Sequence, residues 1–314
     1  MKAKAAVLRA FGEPLEVTEV DVGEGSPVRV KASGMCGRDL VIWKGGFRNL
    51  NPPLILGHEI YGELYGKPVG VYGMETCGDC KYCKSGKENL CERARFFGEG
   101  RPGGYSEIVA VDERSIFPLP DGSYEKYAAA VCPLATAIHA SKVAHIRKGS
   151  RVLVTGAGGG VGIHTIQYLK EIGAEVISVT SPPKREIVSK FSDRVVTLEN
   201  FSREVGKVEY VLELVGAETI NESLRTLEPE GTLVLVGNLS GKPISLIRPA
   251  MNIMRELKVI GSASYTRDEI RQAVDMIHKG RIEPVYTKFR LEEVNQALEL
   301  LKSGKVVGRA VLSL

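Results

Sequence analysis

Residues 151–180 read RVLVTGAGGGVGIHTIQYLKEIGAEVISVT. An apolar run, a glycine-rich turn, a helical stretch and a second apolar run follow one another without a break. Ile166, Leu169 and Ile172 recur at near-helical spacing, while Val176 and Val179 belong to the second apolar run. Glycines stand at 156, 158, 159, 160 and 162. No choice among them meets the strict G-x-G-x-x-G spacing, but G-x-x-G-x-x-G is met at Gly156, Gly159 and Gly162. A turn of this kind between strand and helix brings backbone N–H groups and a helix N-terminus up to a pyrophosphate. Gly156, Gly159, Gly160, Val161 and Gly162 are the expected dinucleotide-binding residues.

The end of the second strand bears on which dinucleotide. A site for NAD places Asp or Glu there, on the ribose 2′-hydroxyl. Here Thr180 and Ser181 end the strand, with Lys184 and Arg185 just beyond. Hydroxyls and cations suit a 2′-phosphate, so NADP(H) is the expected cofactor. NAD remains possible if Lys184 and Arg185 are only solvated charges opening the next helix.

Downstream, VEYVLELVG (208–216) and GTLVLVGN (231–238) read as further buried strands, with AETINESLRTLEP (217–229) a helix between them. Alternation of strand and helix implies a parallel sheet covered on both faces. Two more helices are expected in RDEIRQAVDMIHKG (267–280) and LEEVNQALELLKSG (291–304), then a strand in GRAVLSL (308–314). Upstream the texture differs. VRVKASGMCG, NPPLILGHEI, GGYSEIVAV and SIFPLPDG are short apolar runs broken by glycine and proline, which predicts short strands with little helix.

The whole-chain properties narrow the function classes. At 314 residues there is room for two domains. A net charge of +4, with Lys and Arg scattered along the chain, argues against nucleic acid as the main partner. No apolar run approaches the length of a membrane span, and MKAKAAVLRAFGEPLEV lacks the apolar core of a signal peptide. The cytoplasm is the expected compartment, where thiols stay reduced and open to metals.

Four of the six cysteines fall in CGDCKYCKSGKENLC, at Cys77, Cys80, Cys83 and Cys91. Four thiolates on short spacers can wrap one tetrahedral Zn2+, leaving no position for a substrate. The intervening residues are polar, which argues against free core cysteines. An iron–sulfur cluster is the sharper rival, but its familiar run has a shorter last spacer and a proline after the final cysteine. Glu92 follows Cys91 here. The other two cysteines, Cys36 and Cys132, lie on either side of Gly57-His58-Glu59. A Cys2His set would leave a fourth position open, the layout of a catalytic zinc. Taken singly, His58 is better explained as a hydrogen-bonded core histidine, and Cys132 still more so as an inert buried cysteine.

These stretches together resemble the medium-chain dehydrogenase/reductase superfamily, in its zinc-containing alcohol dehydrogenase branch. The resemblance runs over nearly the whole chain, on GMCGRD, GHE, the four-cysteine stretch, GGYSEIVAV, VTGAGGGVG and GKVVGRAVL. It implies an α/β fold: a Rossmann-type doubly wound parallel sheet over 126–264, and a mostly β, GroES-like catalytic domain from 1–125 and 265–314 that carries the zinc lobe. It also implies that Cys36, His58 and Cys132 hold the catalytic zinc, with Glu59 beside it as an occasional fourth ligand and Asp39 steadying His58. A small-molecule substrate and a homo-oligomer, dimer or tetramer, are expected with it.

Two features depart from the alcohol dehydrogenases. The longer glycine spacing resembles the quinone and enoyl reductase members. More consequential, the position two after the first ligand is Ser or Thr in alcohol dehydrogenases and passes the alcohol proton outward, often to a histidine three residues on. Arg38 and Val41 occupy those positions, and a guanidinium is no base near neutral pH. Three classes follow. The first is a zinc-dependent, NADP(H)-preferring oxidoreductase of alcohols and carbonyls, with Cys36, Arg38, His58, Glu59 and Cys132 at its centre. The alternative is a reductase of activated C=C bonds in an acryloyl-CoA-like thioester or a quinone. The third is a non-catalytic protein that binds NADPH and zinc. Trp43, Phe47 and Tyr105 are candidates for the pocket wall.

Overall fold

The computed structural model describes residues 1–314. It divides into two compact units: Met1–Cys132 with Thr266–Gly280 and Pro284–Leu314, and Pro133–Tyr265 with Arg281–Glu283. The first division falls inside the helix Tyr124–Val143, at Pro133. No helix is long and apolar enough to cross a membrane.

The first unit is built on a seven-stranded sheet. In spatial order its strands are Ile116–Pro118, Lys67–Val71, Glu59–Leu64, Ser26–Met35, Arg309–Ser313 and Tyr286–Arg290, with Ile108–Val111 also paired to Ser26–Met35. Three more strands, Glu16–Asp21, Lys2–Leu8 and Leu54–Ile55, form a separate antiparallel sheet. The strand Ser26–Met35 lies centrally. It pairs in register with Glu59–Leu64 (Gly34 opposite Glu59) and with the C-terminal strand (Met35 opposite Ala310). Residues 34–36, 58–59 and 309 are thereby brought to one end of one sheet. Val28, Val30, Ile60, Val71, Phe97, Val109 and Val111 pack one core of this unit, and Leu8, Met35, Ile42, Leu56, Tyr105 and Leu298 belong to another.

The sequence predicts none of the helices Gly37–Trp43, Lys81–Lys84 and Tyr124–Val143, the last of which begins in this unit and carries Cys132. Gly37–Trp43 is helical, seven residues starting directly after Cys36. Its first turn is closed by the Asp39 carboxylate, which accepts the Cys36 N–H at 2.7 Å, the usual service of an acidic residue near a helix start. A segment this short shows no clear period, so its neighbours' strand-like pattern masks it.

The second unit holds a six-stranded, wholly parallel sheet in the order Arg194–Thr197, Glu175–Thr180, Arg151–Val154, Val208–Glu213, Leu227–Leu235, Lys258–Gly261. Its central strands are buried along nearly their whole length, as the continuous apolar runs predict for a sheet covered on both faces. The order reverses between Arg151–Val154 and Val208–Glu213, and ligands bind beyond the strand C-termini at such a reversal. The helix Gly160–Glu171 starts there, with Ile163, Ile166 and Leu169 fully buried. The helix expected over 217–229 is confined to Ile220–Thr226, and the strand after it begins early, at Leu227.

Candidate active site

In the first unit, Cys36, His58 and Glu59 each present a ligand atom within 4.8 Å of the others. Cys36 directly follows the strand Ser26–Met35, and His58 directly precedes the neighbouring strand, which Glu59 opens. Gly34 makes room for them. A Cβ on it would stand 1.9 Å from Glu59 Oε2 and 2.4 Å from the Ala128 carbonyl. Cys132 Sγ lies 3.9 Å from His58 Nε2 but outside the mutual grouping of the other three. The four residues are thus neighbours, with Cys132 the outermost.

Acidic groups surround His58. Asp39 Oδ1 is 3.7 Å from Nδ1, and Glu59 Oε1 is 3.7 Å from Nε2. Burial works against a charge on the imidazole, yet Asp39, Cys132 and Cys36 outweigh it and hold His58 well above its ordinary range. Burial, followed by the Glu59 charge, pushes the Cys132 thiol up to about 11. Two buried oxygens here, Asp39 Oδ1 and Glu59 Oε2, have no hydrogen-bond donor. Two thiols, an imidazole and two carboxylates pressed together favour a cation. A divalent metal displacing the protons of His58 and the cysteines meets that demand, so the donor set fits zinc.

Two more residues belong to this site, each in a role that the sequence did not assign. Arg309, 3% exposed, places Nη2 2.5 Å from Glu59 Oε1 and 4.0 Å from Cys132 Sγ. Tyr105, expected on a pocket wall, is instead fully buried and donates its hydroxyl to Asp39 Oδ2. A charged residue within the apolar GRAVL was the available sign for Arg309. It marks a strand position where a cation faces inward.

Arg38 leaves the helix Gly37–Trp43 beside this cluster. Its Nε donates to Glu99, and its guanidinium carbon stands 4.7 Å from the Phe47 ring centre and 4.9 Å from that of Phe96. Burial opposes its charge, but Glu99 more than compensates and the group is held above its ordinary range. Phe47 is therefore one wall of a clamp on Arg38. Trp43 is engaged elsewhere, donating Nε1–H to the Glu13 carbonyl at 2.7 Å with the Lys302 ammonium over its ring.

The four-cysteine lobe is also assembled. The sulfurs of Cys77, Cys80, Cys83 and Cys91 all lie within 4.8 Å of one another, with Cys77 3.8 Å from Cys83 and 3.5 Å from Cys91. A tetrahedron with Zn–S of about 2.3 Å places its sulfurs about 3.8 Å apart. The Cys83 N–H points at Cys80 Sγ and the Cys77 N–H at Cys91 Sγ. That first contact leads the effects that draw the Cys80 thiol down to about 6. Burial and the sulfurs around it push Cys83 up to about 12. Such opposed thiols ionise together only with a cation among them, so this lobe too fits zinc.

In the second unit the glycine-rich turn has the form needed to receive a phosphate. Gly156 takes φ +64°, and a Cβ on Gly162 would stand 2.3 Å from the Gly156 carbonyl. Gly160 and Val161 begin the helix, capped by Gly159. A Cβ on Gly158 would meet Thr180 Oγ1 at 2.8 Å and Lys184 Cβ and Cδ at 2.7 Å. Lys184 therefore crosses the turn, half-buried, and burial lowers its pKa. Thr180 is buried, Ser181 half-buried and Arg185 exposed. These residues fit a dinucleotide.

Comparison with known proteins agrees with both units. Residues 25–121 match the alcohol dehydrogenase GroES-like domain, and residues 160–279 match the zinc-binding dehydrogenase domain. An acryloyl-coenzyme A reductase of Metallosphaera sedula is 33% identical, covering 99% of both chains. An NAD-dependent alcohol dehydrogenase of Sulfolobus acidocaldarius is 32% identical over 98% of this chain and 99% of that one. The cobalt- and zinc-bound thermostable alcohol dehydrogenase of Pyrobaculum aerophilum superposes with a TM-score of 0.91 at 25% identity, covering 100% of each chain. Architecture, sequence and site geometry thus converge: the chain is an oxidoreductase of the zinc-containing alcohol dehydrogenase family, within the medium-chain dehydrogenase/reductase superfamily.

Proposed function

We propose that this oxidoreductase prefers NADP(H), depends on zinc and reduces the double bond of a short α,β-unsaturated acyl thioester. The observation that carries this reading is the fixation of Arg38. The position that must pass a proton in alcohol oxidation is a guanidinium held by Glu99 between two phenylalanine rings. It has no proton to exchange near neutral pH, and as a fixed cation it suits a developing enolate charge. The acryloyl-coenzyme A reductase relative supports the same class.

Cys36, His58 and Cys132 would hold the catalytic metal, and Cys77, Cys80, Cys83 and Cys91 the structural one. Bound zinc supplies a Lewis acid for a substrate oxygen, and the nicotinamide supplies the hydride. Asp39 orients His58, while Arg309 neutralises Glu59 at Oε1, the oxygen that faces the imidazole. The turn 156–162 receives the pyrophosphate, with Thr180, Ser181, Lys184 and Arg185 toward the 2′-phosphate. A homo-oligomer in the cytoplasm belongs to this proposal. The open edge strand Lys258–Gly261, with exposed Val259, Ile253 and Met254 nearby, supports association of copies.

A second reading, alcohol–carbonyl interconversion, is favoured by the complete Cys36, His58 and Glu59 grouping and by the alcohol dehydrogenase relative. The test is NADPH oxidation by the zinc-loaded protein with acryloyl-CoA and crotonyl-CoA set against aldehydes, ketones and simple enones. Thioester reduction should dominate, and Arg38→Thr should abolish it. Faster turnover of an aldehyde or ketone, kept in Arg38→Thr, would establish the second reading instead.

A further inference from the structure

Glu213 ends the strand Val208–Glu213 and has no solvent exposure. Four donors converge on its Oε1: Thr155 Oγ1 at 2.7 Å, Thr219 Oγ1 at 2.6 Å, and the N–H groups of Val215 and Gly216 at 3.0 Å each. Ser223 Oγ donates to Oε2 at 2.5 Å. A buried carboxylate is costly to keep, and five neutral donors are what make it tolerable. An apolar residue here would leave the two backbone N–H groups to find other acceptors. The site is thus built around an acceptor at this one point.

What that point joins gives it meaning. Thr155 is the last residue before the glycine-rich turn, and its Oγ1 also accepts the Leu214 N–H at 3.0 Å. Val215 and Gly216 form the turn after the neighbouring strand. A Cβ on Gly156 would stand 3.0 Å from Val215 Cγ2, so the two turns already touch. These are the strands between which the sheet order reverses. Their two turns are the lips of the crevice where a dinucleotide lies in such sheets. Thr219 and Ser223, in contrast, tie the carboxylate to the helix Ile220–Thr226 behind it.

We infer that Glu213 is a positioning residue for the dinucleotide: its carboxylate fixes the turns at 155–160 and 214–216 in the spacing that receives the cofactor. The inference rests on the dinucleotide reading of the glycine-rich turn. Glu213 does not touch the ligand; it presets the two surfaces that do, so that binding need not order them.

The experiment compares NADPH dissociation constants and melting temperatures of the zinc-loaded full chain. Binding is measured well below every melting point, where global stability does not enter. Thr155→Val removes the donor on the crevice side, and Ser223→Ala removes one on the helix side. Both should lower the melting temperature, but only Thr155→Val should weaken NADPH binding, by about tenfold for one hydrogen bond to a charged group. Glu213→Gln keeps an acceptor at Oε1 and should bind within about threefold of the unmodified chain, while Glu213→Ala should lose more than about tenfold. Should Glu213→Ala not fold, the Thr155→Val and Ser223→Ala pair decides. Unchanged binding in folded Thr155→Val overturns the positioning role and leaves Glu213 a purely structural clamp. Failure of the unmodified chain to bind NADPH or NADH overturns the dinucleotide reading, and this inference with it.

Discussion

Tyr105 and Asp39 are joined by a 2.8 Å hydrogen bond from the phenol to Oδ2, at a place that solvent does not reach. The same oxygen accepts the Cys36 N–H, and the other carboxylate oxygen faces His58. One carboxylate thus orients two of the expected metal ligands, and Tyr105 fixes the carboxylate. Its ring lies against Gly57, where a Cβ would come within 2.5 Å of it. Burial, and then the Asp39 charge, raise the phenol well above its ordinary range, so it stays a donor.

Tyr105→Phe keeps the ring and removes that donor. We expect zinc to leave the catalytic site about tenfold faster, the usual scale for losing an outer partner of a metal ligand. The four-cysteine site should be unaffected. Chelator competition with a chromogenic indicator resolves the two zinc pools. Equal release from both proteins would show that Asp39 needs no help from Tyr105.

Arg309 and Glu59 make the second test. Both are almost wholly buried, and their ion pair reaches across the central strand Ser26–Met35, which separates their own strands, near Cys132. Arg309→Met would leave the Glu59 carboxylate buried without its partner, at a cost of about 3–5 kcal/mol in the metal-free protein. Adding Glu59→Gln should recover most of that loss, because no uncompensated charge remains. Urea denaturation of the single and double variants measures both. Additive losses would mean the two groups do not interact.

What the sequence made legible was local. Cys77, Cys80, Cys83 and Cys91 sit within fifteen consecutive positions, and the glycine-rich turn lies directly between its strand and helix. Spacing alone reveals such features. The remainder of the site is made by contacts between segments far apart in the chain: Tyr105 reaches Asp39 across 66 positions, Arg38 reaches Glu99 across 61, and Arg309 reaches Glu59 across 250. Nothing in a one-dimensional pattern marks those pairs. Tyr105 in particular looks alike in sequence whether it lines a pocket or ends in a buried hydrogen bond.

The four-cysteine lobe predicts a separable metal. Cys80→Ser removes one thiolate from a set whose sulfurs already stand at tetrahedral spacing. Metal analysis should fall by one zinc per chain, and the melting temperature should drop, because binding energy at a closed structural site is folding energy. NADPH affinity of the protein that stays folded should be kept. Stoichiometric iron and sulfide in the unmodified protein would replace zinc with a cluster.

Glu125 gives a pH dependence that can be assigned a sign. Its carboxylate accepts from Lys288 at 2.6 Å, Ser123 at 2.7 Å and Ser313 at 3.1 Å, tying a helix start to the two C-terminal strands. Burial works to raise its pKa, but Lys288 and Ser123 prevail and draw it down to about 2. A depressed carboxyl stabilises the fold above its unfolded pKa and loses that contribution as pH falls from about 4.5 to about 2. Because the pair is partly open to solvent, the contribution at neutral pH is about 1 kcal/mol. Glu125→Gln should cost that much at pH 7 and nothing near pH 2, as read by the difference in urea midpoints. A cost independent of pH would assign the effect to packing.

Cofactor preference turns on Lys184 more than on Arg185. Lys184 crosses the glycine-rich turn so closely that a Cβ on Gly158 would strike its Cβ and Cδ, whereas Arg185 is exposed. A half-buried side chain whose stem lies against the turn loses little freedom when a phosphate arrives, while an exposed guanidinium must first be ordered and is screened by salt. Lys184→Ala should therefore weaken NADPH about tenfold and leave NADH nearly unchanged, on the scale of one charge-assisted hydrogen bond. Arg185→Ala should cost less than about threefold, and that small loss should vanish at high salt. Isothermal titration of both dinucleotides against the three proteins provides the comparison. If the unmodified chain binds NADH as tightly as NADPH, the 2′-phosphate is not recognised here, and Lys184 serves only to pack the turn.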